Sequence, residues 1–190
     1  MIFKNIFDYI IALILLILLV GLIVFIFIIS SIDTKSSGIF KQLRIGKNGK
    51  SFYIYKFRTM KKFTGSNITL DTHPITKFGL FLRKYKLDEL PQLFNILKGE
   101  MSFVGPRPDV KGYADFLEGE DRIILKFKPG ITGPAQLKYR DEMKLLSKVE
   151  DPISYNDEII WPDKVQINKE YVLNWKFSKD LFYIYKTIIK

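Results

Sequence analysis

The sequence contains no cysteine and only one histidine, His73. Disulfides, thiolate zinc sites and cysteine nucleophiles are therefore excluded, and histidine-rich zinc sites are excluded as well. Proton relays through histidine are nearly absent, so an enzyme with this composition must work mainly with carboxylates, basic residues or a bound metal. Phosphoryl transfer suits that inventory, because it needs little proton chemistry and much neutralisation of charge.

Polar residues are missing from one long stretch near the start of the chain. Residues 10–29 are all apolar, counting the small Ala12 and Gly21, and as a helix they would measure about 30 Å. A cleaved signal peptide is the alternative, but its apolar region is about 7–15 residues long, and the residues around Ser30 make a poor cleavage site. We expect residues 1–32 to form a membrane-embedded helix that continues into a catalytic domain at 33–190.

Positive charge dominates the chain as a whole, with 30 Lys and Arg against 20 Asp and Glu and a net charge of +10. Basic residues resume soon after the apolar stretch, at Lys35, Lys41, Arg44 and Lys47. The positive-inside rule therefore predicts that the catalytic domain lies in the cytoplasm. No zinc-finger spacing or RNA-recognition motif accompanies the basic residues, so anionic lipid headgroups, and not nucleic acid, are the expected partner.

The local patterns predict an α+β fold that is mostly helical. Residues 38–45 and 51–57 read as a β-hairpin, and a polar loop is expected at 64–72. Helices are expected from Pro74 to about Lys86 with Thr72 or His73 as cap, from Asp88 to before Gly99, and from about Asp109 to Phe127. The aromatic and lysine-rich C-terminal segment, residues 171–185, suits a membrane interface and a core-facing amphipathic helix equally.

The adjacent acids Asp88 and Glu89 stand where a helix is expected to begin. Neighbouring helical residues point about 100° apart, so one carboxylate could face a phosphorus atom while the other holds a divalent cation. Viewed alone, such a pair is more often a helix cap, and capping explains it fully. Arg107 lies between Pro106 and Pro108, and a rigidly held guanidinium is a good phosphate receptor. Viewed in isolation, however, a Gly-Pro string usually marks a simple turn. The remaining candidates for phosphate contact are Lys56, Arg58 and Arg83.

Two long motifs carry a family resemblance: LDELPQLFN at residues 87–95 and KGEMSFVGPRP at residues 98–108. Shorter matching segments are QLRIG at 42–46, YKFRTM at 55–60, TKFG at 76–79 with Arg83, and KPGITG at 128–133. Together they resemble the monotopic phosphoglycosyl transferases, also called bacterial sugar transferases, in their minimal single-domain form. Matching residues span most of positions 3–136.

The resemblance implies an activity, a cofactor and a set of site residues. Members transfer a phospho-sugar from a nucleotide sugar, commonly a UDP-sugar, to undecaprenyl phosphate, use Mg²⁺, release a nucleoside monophosphate and begin assembly of a surface glycan. By resemblance, Asp88 is the nucleophile and Glu89 a Mg²⁺ ligand. The residues expected to contact the nucleotide sugar are Arg107 with Gly105 and Pro106, and the basic residues Lys56, Arg83 and Arg58. The family also implies a re-entrant membrane helix, interfacial amphipathic helices and an active site at the cytoplasmic face of the bacterial inner membrane.

The sequence departs from the family pattern at three positions. Gly21 stands where relatives carry a serine-proline pair that bends the membrane helix, Pro134 replaces a tryptophan, and Asn168 replaces an acid. Gly permits a bend but, unlike Pro, removes no backbone hydrogen bond. Two other classes remain open: a membrane-anchored adaptor without activity, and an inactive relative. An inactive relative would be expected to lack Asp88, Glu89 or Arg107, and the chain has all three.

Overall fold

A computed structural model describes residues 1–61 and 75–189. The polar loop expected at 64–72 lies outside the described residues, as do the expected caps Thr72 and His73. The chain divides into two compact units. The N-terminal unit comprises Ile2–Leu43 and Tyr53–Gly99, and the C-terminal unit comprises Arg44–Phe52 and Glu100–Lys190 together with Met1.

The N-terminal unit begins with α1, a single helix from Ile2 to Thr34. Its length and composition would let it cross a membrane, and only 11% of its most apolar window is buried within the protein. A helix whose apolar side chains remain exposed is suited to a lipid environment. The helix continues through Gly21 without interruption, so no break accompanies the residue at which a bend was expected. The return of this helix to the same membrane face stays a prediction.

The β-hairpin is confirmed, with β1 at Ile39–Ile45 pairing with β2 at Ser51–Phe57. Its turn contains a short 3₁₀ segment, Lys47–Gly49, in which Asn48 and Gly49 adopt φ of 59° and 75°. Asn and Gly tolerate this left-handed conformation better than other residues, which is why the sequence turns here. The Gly46 amide closes the turn by donating to the Lys50 carbonyl at 2.9 Å.

Two short helices complete the N-terminal unit. The helix expected from Pro74 to Lys86 is observed as α2, Lys77–Lys84, and its cap is Thr76, which accepts a hydrogen bond from the Gly79 amide at 2.9 Å. The helix expected from Asp88 is divided into a 3₁₀ turn, Leu87–Glu89, and α3, Gln92–Leu97. The buried core of this unit joins α1, β2 and α2 through Ile26, Phe57 and Leu82.

The C-terminal unit contains a small parallel sheet of β3, Ser102–Val104, and β4, Gly130–Thr132. The prediction of a helix between these strands, from Asp109 to Phe127, is wrong. The segment instead forms two 3₁₀ helices, Ala114–Phe116 and Gly119–Lys126. Gly112 and Gly119 adopt φ of 106° and 54°, values incompatible with a right-handed helix, and they break the segment.

The rest of this unit is helical. Its elements are α4 (Pro134–Lys138), α5 (Glu142–Leu146), α6 (Pro152–Tyr155), a π-helical turn (Asn156–Ile160), α7 (Trp161–Leu173) and α8 (Phe177–Ile188). The core-facing interpretation of the aromatic C-terminal segment describes part of it, and the membrane-interface interpretation stays a prediction. Tyr171, Trp175, Tyr183 and Ile184 pack in a hydrophobic cluster, whereas other apolar side chains of α8 are exposed, namely Leu181, Phe182, Tyr185 and Ile188.

Candidate active site

Asp88 and Glu89 occupy the 3₁₀ turn that precedes α3 in the N-terminal unit. Lys86 stands before this turn with a left-handed φ of 55°, and Pro91 leads into α3 with φ of −61°. The left-handed residue ends the preceding segment, and the proline suits a helix start, since its missing N–H would have no helical partner there. The carboxylates are therefore placed by a rigid local backbone, and both are partly buried.

Lys56 of β2 forms an ion pair with Glu89. Its Nζ donates to Oε1 at 2.8 Å, and each side chain is 22% exposed. A pair this shielded from water is coupled more strongly than a surface salt bridge. The contact links the hairpin to the turn that carries both acids, so Lys56 orients Glu89 in addition to supplying positive charge.

The pKa of the Asp88 carboxyl is raised above its ordinary value. Burial is the main cause, and the neighbouring charge of Glu89 adds to it. Lys56 and Arg83 oppose the shift by stabilising the carboxylate. A partly buried acid with a perturbed pKa, set between a like charge and two cations, is typical of a reactive group.

The other two basic candidates of this unit differ in their contacts. Arg83 is exposed on α2, and its Nε donates to Thr59 Oγ1 at 2.9 Å, which fixes the side chain. Arg58 donates from Nε to the Ser37 carbonyl at 2.8 Å and lies 5.5 Å from the Phe40 ring centroid. The contacts of Arg58 hold the base of the hairpin. Arg83, in contrast, acts electrostatically on the Asp88 carboxyl.

Gly105, Pro106 and Arg107 lie in the C-terminal unit, directly after β3. The Gly105 amide donates to the Thr132 carbonyl at 3.0 Å, and the Gly130 amide donates to the Pro106 carbonyl at 2.8 Å. A Cβ atom on Gly130 would overlap the Gly105 backbone nitrogen. Glycine is thus required for this close approach, which places the exposed Arg107 at the end of the sheet.

A cavity of about 330 Å³ lies beside Arg107 within the same unit. Its wall includes Asp109, whose pKa is raised to about 6, chiefly by burial and against the charges of Arg107 and Lys164. Asn168 lines a narrower recess next to Arg107 and Asp109. It is buried, and within the described residues its Oδ1 has no hydrogen-bond donor.

Comparison with known proteins identifies the family. The family model described as bacterial sugar transferase matches residues 1–190. EpsL of Bacillus subtilis, named an uncharacterized sugar transferase, is 36% identical over 192 residues, covering 100% of this chain and 87% of that protein. The chain belongs to the bacterial sugar transferase family.

Two further relatives are similar to this sugar transferase. The UDP-glucose:undecaprenyl-phosphate glucose-1-phosphate transferase of Klebsiella pneumoniae is 36% identical over 201 residues, covering 100% of this chain but only 40% of that protein. The exopolysaccharide production protein ExoY of Sinorhizobium fredii is 33% identical over 204 residues, covering 97% of this chain and 83% of that protein. The chain is therefore an enzyme of the phosphoglycosyl transferase class, and α1 is consistent with association with a membrane.

The predicted site residues of the sugar transferase fall into two sets. Lys56, Arg83, Asp88 and Glu89 are brought together in the N-terminal unit, with Arg58 at the base of its hairpin. The set formed by Gly105, Pro106 and Arg107 lies in the C-terminal unit. Their roles remain predictions.

Among the residues that line the cavity, sequence reasoning singled out Arg107 as a site residue but missed Asp109, Trp161 and Lys164. Asp109 directly follows the motif at residues 98–108, and this adjacency was the signal in the sequence that could have indicated Asp109 as a site residue. Its neighbours in the cavity wall, Trp161 and Lys164, are about fifty positions further along. Only the folded chain brings them to Asp109.

Proposed function

We propose that this sugar transferase moves a phospho-sugar from a UDP-sugar to undecaprenyl phosphate, releases UMP, and thereby starts assembly of a bacterial surface glycan. The observation that carries the proposal is the environment of Asp88: a partly buried carboxyl with a raised pKa, beside Glu89, Lys56 and Arg83. Relatives named UDP-glucose:undecaprenyl-phosphate glucose-1-phosphate transferase support the choice of donor and acceptor.

The proposed reaction has two steps. A carboxylate oxygen of Asp88 bonds to the phosphorus that bears the sugar, and the bond from that phosphorus to the bridging oxygen of the diphosphate breaks, so UMP leaves with both bonding electrons. The enzyme then carries the sugar phosphate as an acyl phosphate. An oxygen of the lipid phosphate attacks the same phosphorus and displaces the Asp88 carboxylate, which regenerates the enzyme. No net proton transfer is needed between fully ionised phosphates.

Positive side chains make this attack electrostatically feasible. An anionic carboxylate approaching an anionic diphosphate is repelled, and Lys56 and Arg83 lower the energy of negative charge at Asp88. Arg83 is also held by Thr59, so it needs no reordering when the donor binds. The raised pKa makes the ionised Asp88 more basic than a free aspartate, which favours bond formation with phosphorus.

The acids of this site fit a magnesium ion. Among residues 1–61 and 75–189, no group of three His, Cys, Asp or Glu side chains is placed to hold a metal. Mg²⁺ needs no such group, because it commonly binds one or two carboxylates together with substrate phosphates. Glu89 is the proposed ligand, and its ion pair with Lys56 at 2.8 Å orients the carboxylate. When bound, Mg²⁺ would neutralise charge on the diphosphate.

The metal role of Glu89 has a direct test. Glu89→Gln nearly keeps the size of the side chain and removes its charge, so we expect this variant and wild-type enzyme in excess EDTA to lose UMP release. Added Mg²⁺ should restore the wild type and leave the variant inactive. Full activity of the wild type in EDTA would contradict the metal requirement.

The covalent step is tested without the lipid acceptor. Purified full-length protein is incubated with a panel of UDP-sugars labelled in the sugar, and UMP and protein-bound label are measured. We expect about one UMP per enzyme and a labelled protein for the correct donor. Asp88→Asn should give neither, whereas the matched control Asp121→Asn, which alters a carboxylate paired with Lys169, should behave as wild type. Label on the Asp88→Asn protein, or active wild type that never acquires label, would refute the nucleophile.

We place the enzyme in the bacterial inner membrane, with its active site at the cytoplasmic face. The basic residues that follow α1 support this orientation. A cysteine introduced at Phe3 tests the path of the helix in intact cells. A re-entrant helix keeps position 3 inaccessible to an impermeant thiol reagent, whereas labelling from outside would show a helix that crosses.

A further inference from the structure

The cavity in the C-terminal unit has the size and lining of a small-molecule site. Its volume is about 330 Å³, and ligand sites begin at roughly 300 Å³. Cations, carboxylates and aromatic rings all contribute to its wall, namely Arg107, Asp109, Tyr113, Glu142, Trp161 and Lys164. A wall with this many polar groups is unsuited to an apolar chain, since their desolvation would be uncompensated.

The cations of the cavity differ in what they already bind. Lys164 donates to both carboxylate oxygens of Glu142, at 2.7 and 2.8 Å. Arg44 and Arg140 donate to backbone carbonyls. Arg107 is exposed, and within the part of the chain that the structure describes its guanidinium forms no hydrogen bond, although it acts electrostatically on Asp109. Its planar set of donors therefore remains available to a phosphate.

Asp109 provides the complementary acceptor. Its backbone carbonyl is fixed by the Ile45 amide at 2.9 Å. Its carboxyl is largely shielded from water, which raises its pKa to about 6 and leaves it mostly ionised at neutral pH. A shielded carboxylate gains much from a hydroxyl donor, because it has lost hydration.

An aromatic pair forms another side of the cavity. The rings of Tyr113 and Trp161 meet edge to face, with centroids 5.2 Å apart, and both residues line the cavity. The Tyr113 hydroxyl donates to Asp157 at 2.9 Å, which fixes that ring. Rigid aromatic surfaces beside carboxylate acceptors and guanidinium donors suit a hydroxylated ring that carries an anionic group.

We infer that this cavity binds a sugar ring bearing a phosphate, with Arg107 contacting the phosphate and Asp109 accepting hydrogen bonds from ring hydroxyls. The inference rests on the proposed function, because a UDP-sugar contains two such groups. One is the ribose phosphate of UMP, and the other is the phosphate of the transferred sugar. Asp109 is the new specificity residue, since it distinguishes a sugar phosphate from phosphate alone.

Calorimetry on the full-length protein tests the ligand class, with UMP, glucose 1-phosphate and inorganic phosphate titrated separately. We expect UMP or glucose 1-phosphate to bind more tightly than inorganic phosphate, and the one that does so identifies the half of the donor held here. Asp109→Asn should lower the affinity for that ligand by about ten-fold or more, because a hydrogen bond to a charged group is lost. Its affinity for inorganic phosphate should be unchanged or higher, because a negative charge has been removed.

Asp121→Asn is the matched control for this experiment. Asp121 is another carboxylate of the C-terminal unit, paired with Lys169 at 3.0 Å and outside the cavity wall, so all three affinities should equal those of the wild type. Tryptophan fluorescence gives an independent location. Trp161 and Trp175 are the two tryptophans of the chain, and a ligand-induced change in emission should disappear in Trp161→Phe if the ligand enters the cavity.

The outcomes separate this inference from the proposed function. The inference alone would be overturned by the following pair of results. The wild type turns over a UDP-sugar, and the Asp109→Asn variant binds UMP and glucose 1-phosphate as tightly as the wild type does. A fluorescence change that persists in Trp161→Phe would do the same. Loss of sugar-phosphate binding in Asp109→Asn, with no UMP released from any UDP-sugar by the wild type, would support the cavity assignment and refute the proposed function.

Discussion

Replacing Lys56 with methionine tests how the ion pair with Glu89 supports the site. The change removes the charge and keeps an unbranched apolar chain. At an effective dielectric constant of about 20, opposite charges at the observed 2.8 Å attract by about 6 kcal/mol, and desolvation offsets most of this. A hydrogen bond to a charged group contributes about 1.5–3 kcal/mol net. Both side chains are only 22% exposed, so we expect a loss of about 2 kcal/mol in the free energy of unfolding.

The same change should alter the reactivity of Asp88. Lys56 lowers the pKa of the Asp88 carboxyl, so its removal raises that pKa further. Because Asp88 must be ionised to attack, the acidic limb of the profile of kcat/KM against pH should move to higher pH. At neutral pH, the misplaced Glu89 and the lost positive charge should together lower kcat/KM by about 10–100-fold.

The assay is UMP release from a UDP-sugar between pH 5 and 9, combined with thermal unfolding in detergent. A loss of about 2 kcal/mol corresponds to a fall in Tm of about 4–8 °C for a chain of this size. Lys56→Arg should recover part of both quantities. Lys98→Met is the matched control, because Lys98 is exposed and its Nζ donates to the Tyr55 hydroxyl at 2.8 Å. An acidic limb that stays in place in Lys56→Met would refute the electrostatic coupling to Asp88.

Three further changes test the structure of the C-terminal unit. Asp109 has a pKa of about 6 in the folded chain against 3.8 for an ordinary aspartate, so the folded state binds more protons between these values. Thermal unfolding should therefore show stability falling by up to about 3 kcal/mol as pH rises from 4 to 6, and Asp109→Asn should flatten that dependence. Gly130→Ala should lower stability by about 2 kcal/mol or more through overlap with the Gly105 backbone, whereas Gly21→Ala, whose Cβ meets no atom within 4 Å, should not. Asp180→Ala should cost about 3 kcal/mol in denaturant unfolding, since the buried Tyr171 hydroxyl and the partly buried Trp175 Nε1 both lose this acceptor.

The sequence predicted the elements whose signals are local. The hairpin was predicted at nearly its observed bounds because Asn48 and Gly49 favour the left-handed turn. The expected helix from Asp109 to Phe127 failed for the same kind of reason. Two glycines with positive φ interrupt it, and an apolar pattern alone does not show whether a glycine will be tolerated in a helix or will end it.

The site was only partly predictable, because its chemistry depends on contacts between distant positions. The motif around Asp88 indicated the acids, but the ion pair between Lys56 and Glu89 joins residues 33 positions apart. Asp109 appeared unremarkable in the sequence, since nothing local indicates that its carboxyl is largely shielded from water beside Arg107 and Lys164. Burial and electrostatic environment are properties of the fold, and they decide which acids are reactive.

A comparison of two partly or fully buried acids shows how this distinction works. Asp180 is 1% exposed, and its two carboxylate oxygens accept hydrogen bonds from the Tyr171 hydroxyl at 2.6 Å and the Trp175 Nε1 at 3.0 Å. Its acceptors are occupied by neutral core donors, so its role is to hold α7 against α8. Asp88 has a different environment, in which burial and Glu89 destabilise its charge while two cations oppose them. Because burial and Glu89 destabilise the negative charge on Asp88, that charge is relieved when the carboxylate bonds to phosphorus. We therefore assign the chemistry to Asp88 and a structural role to Asp180.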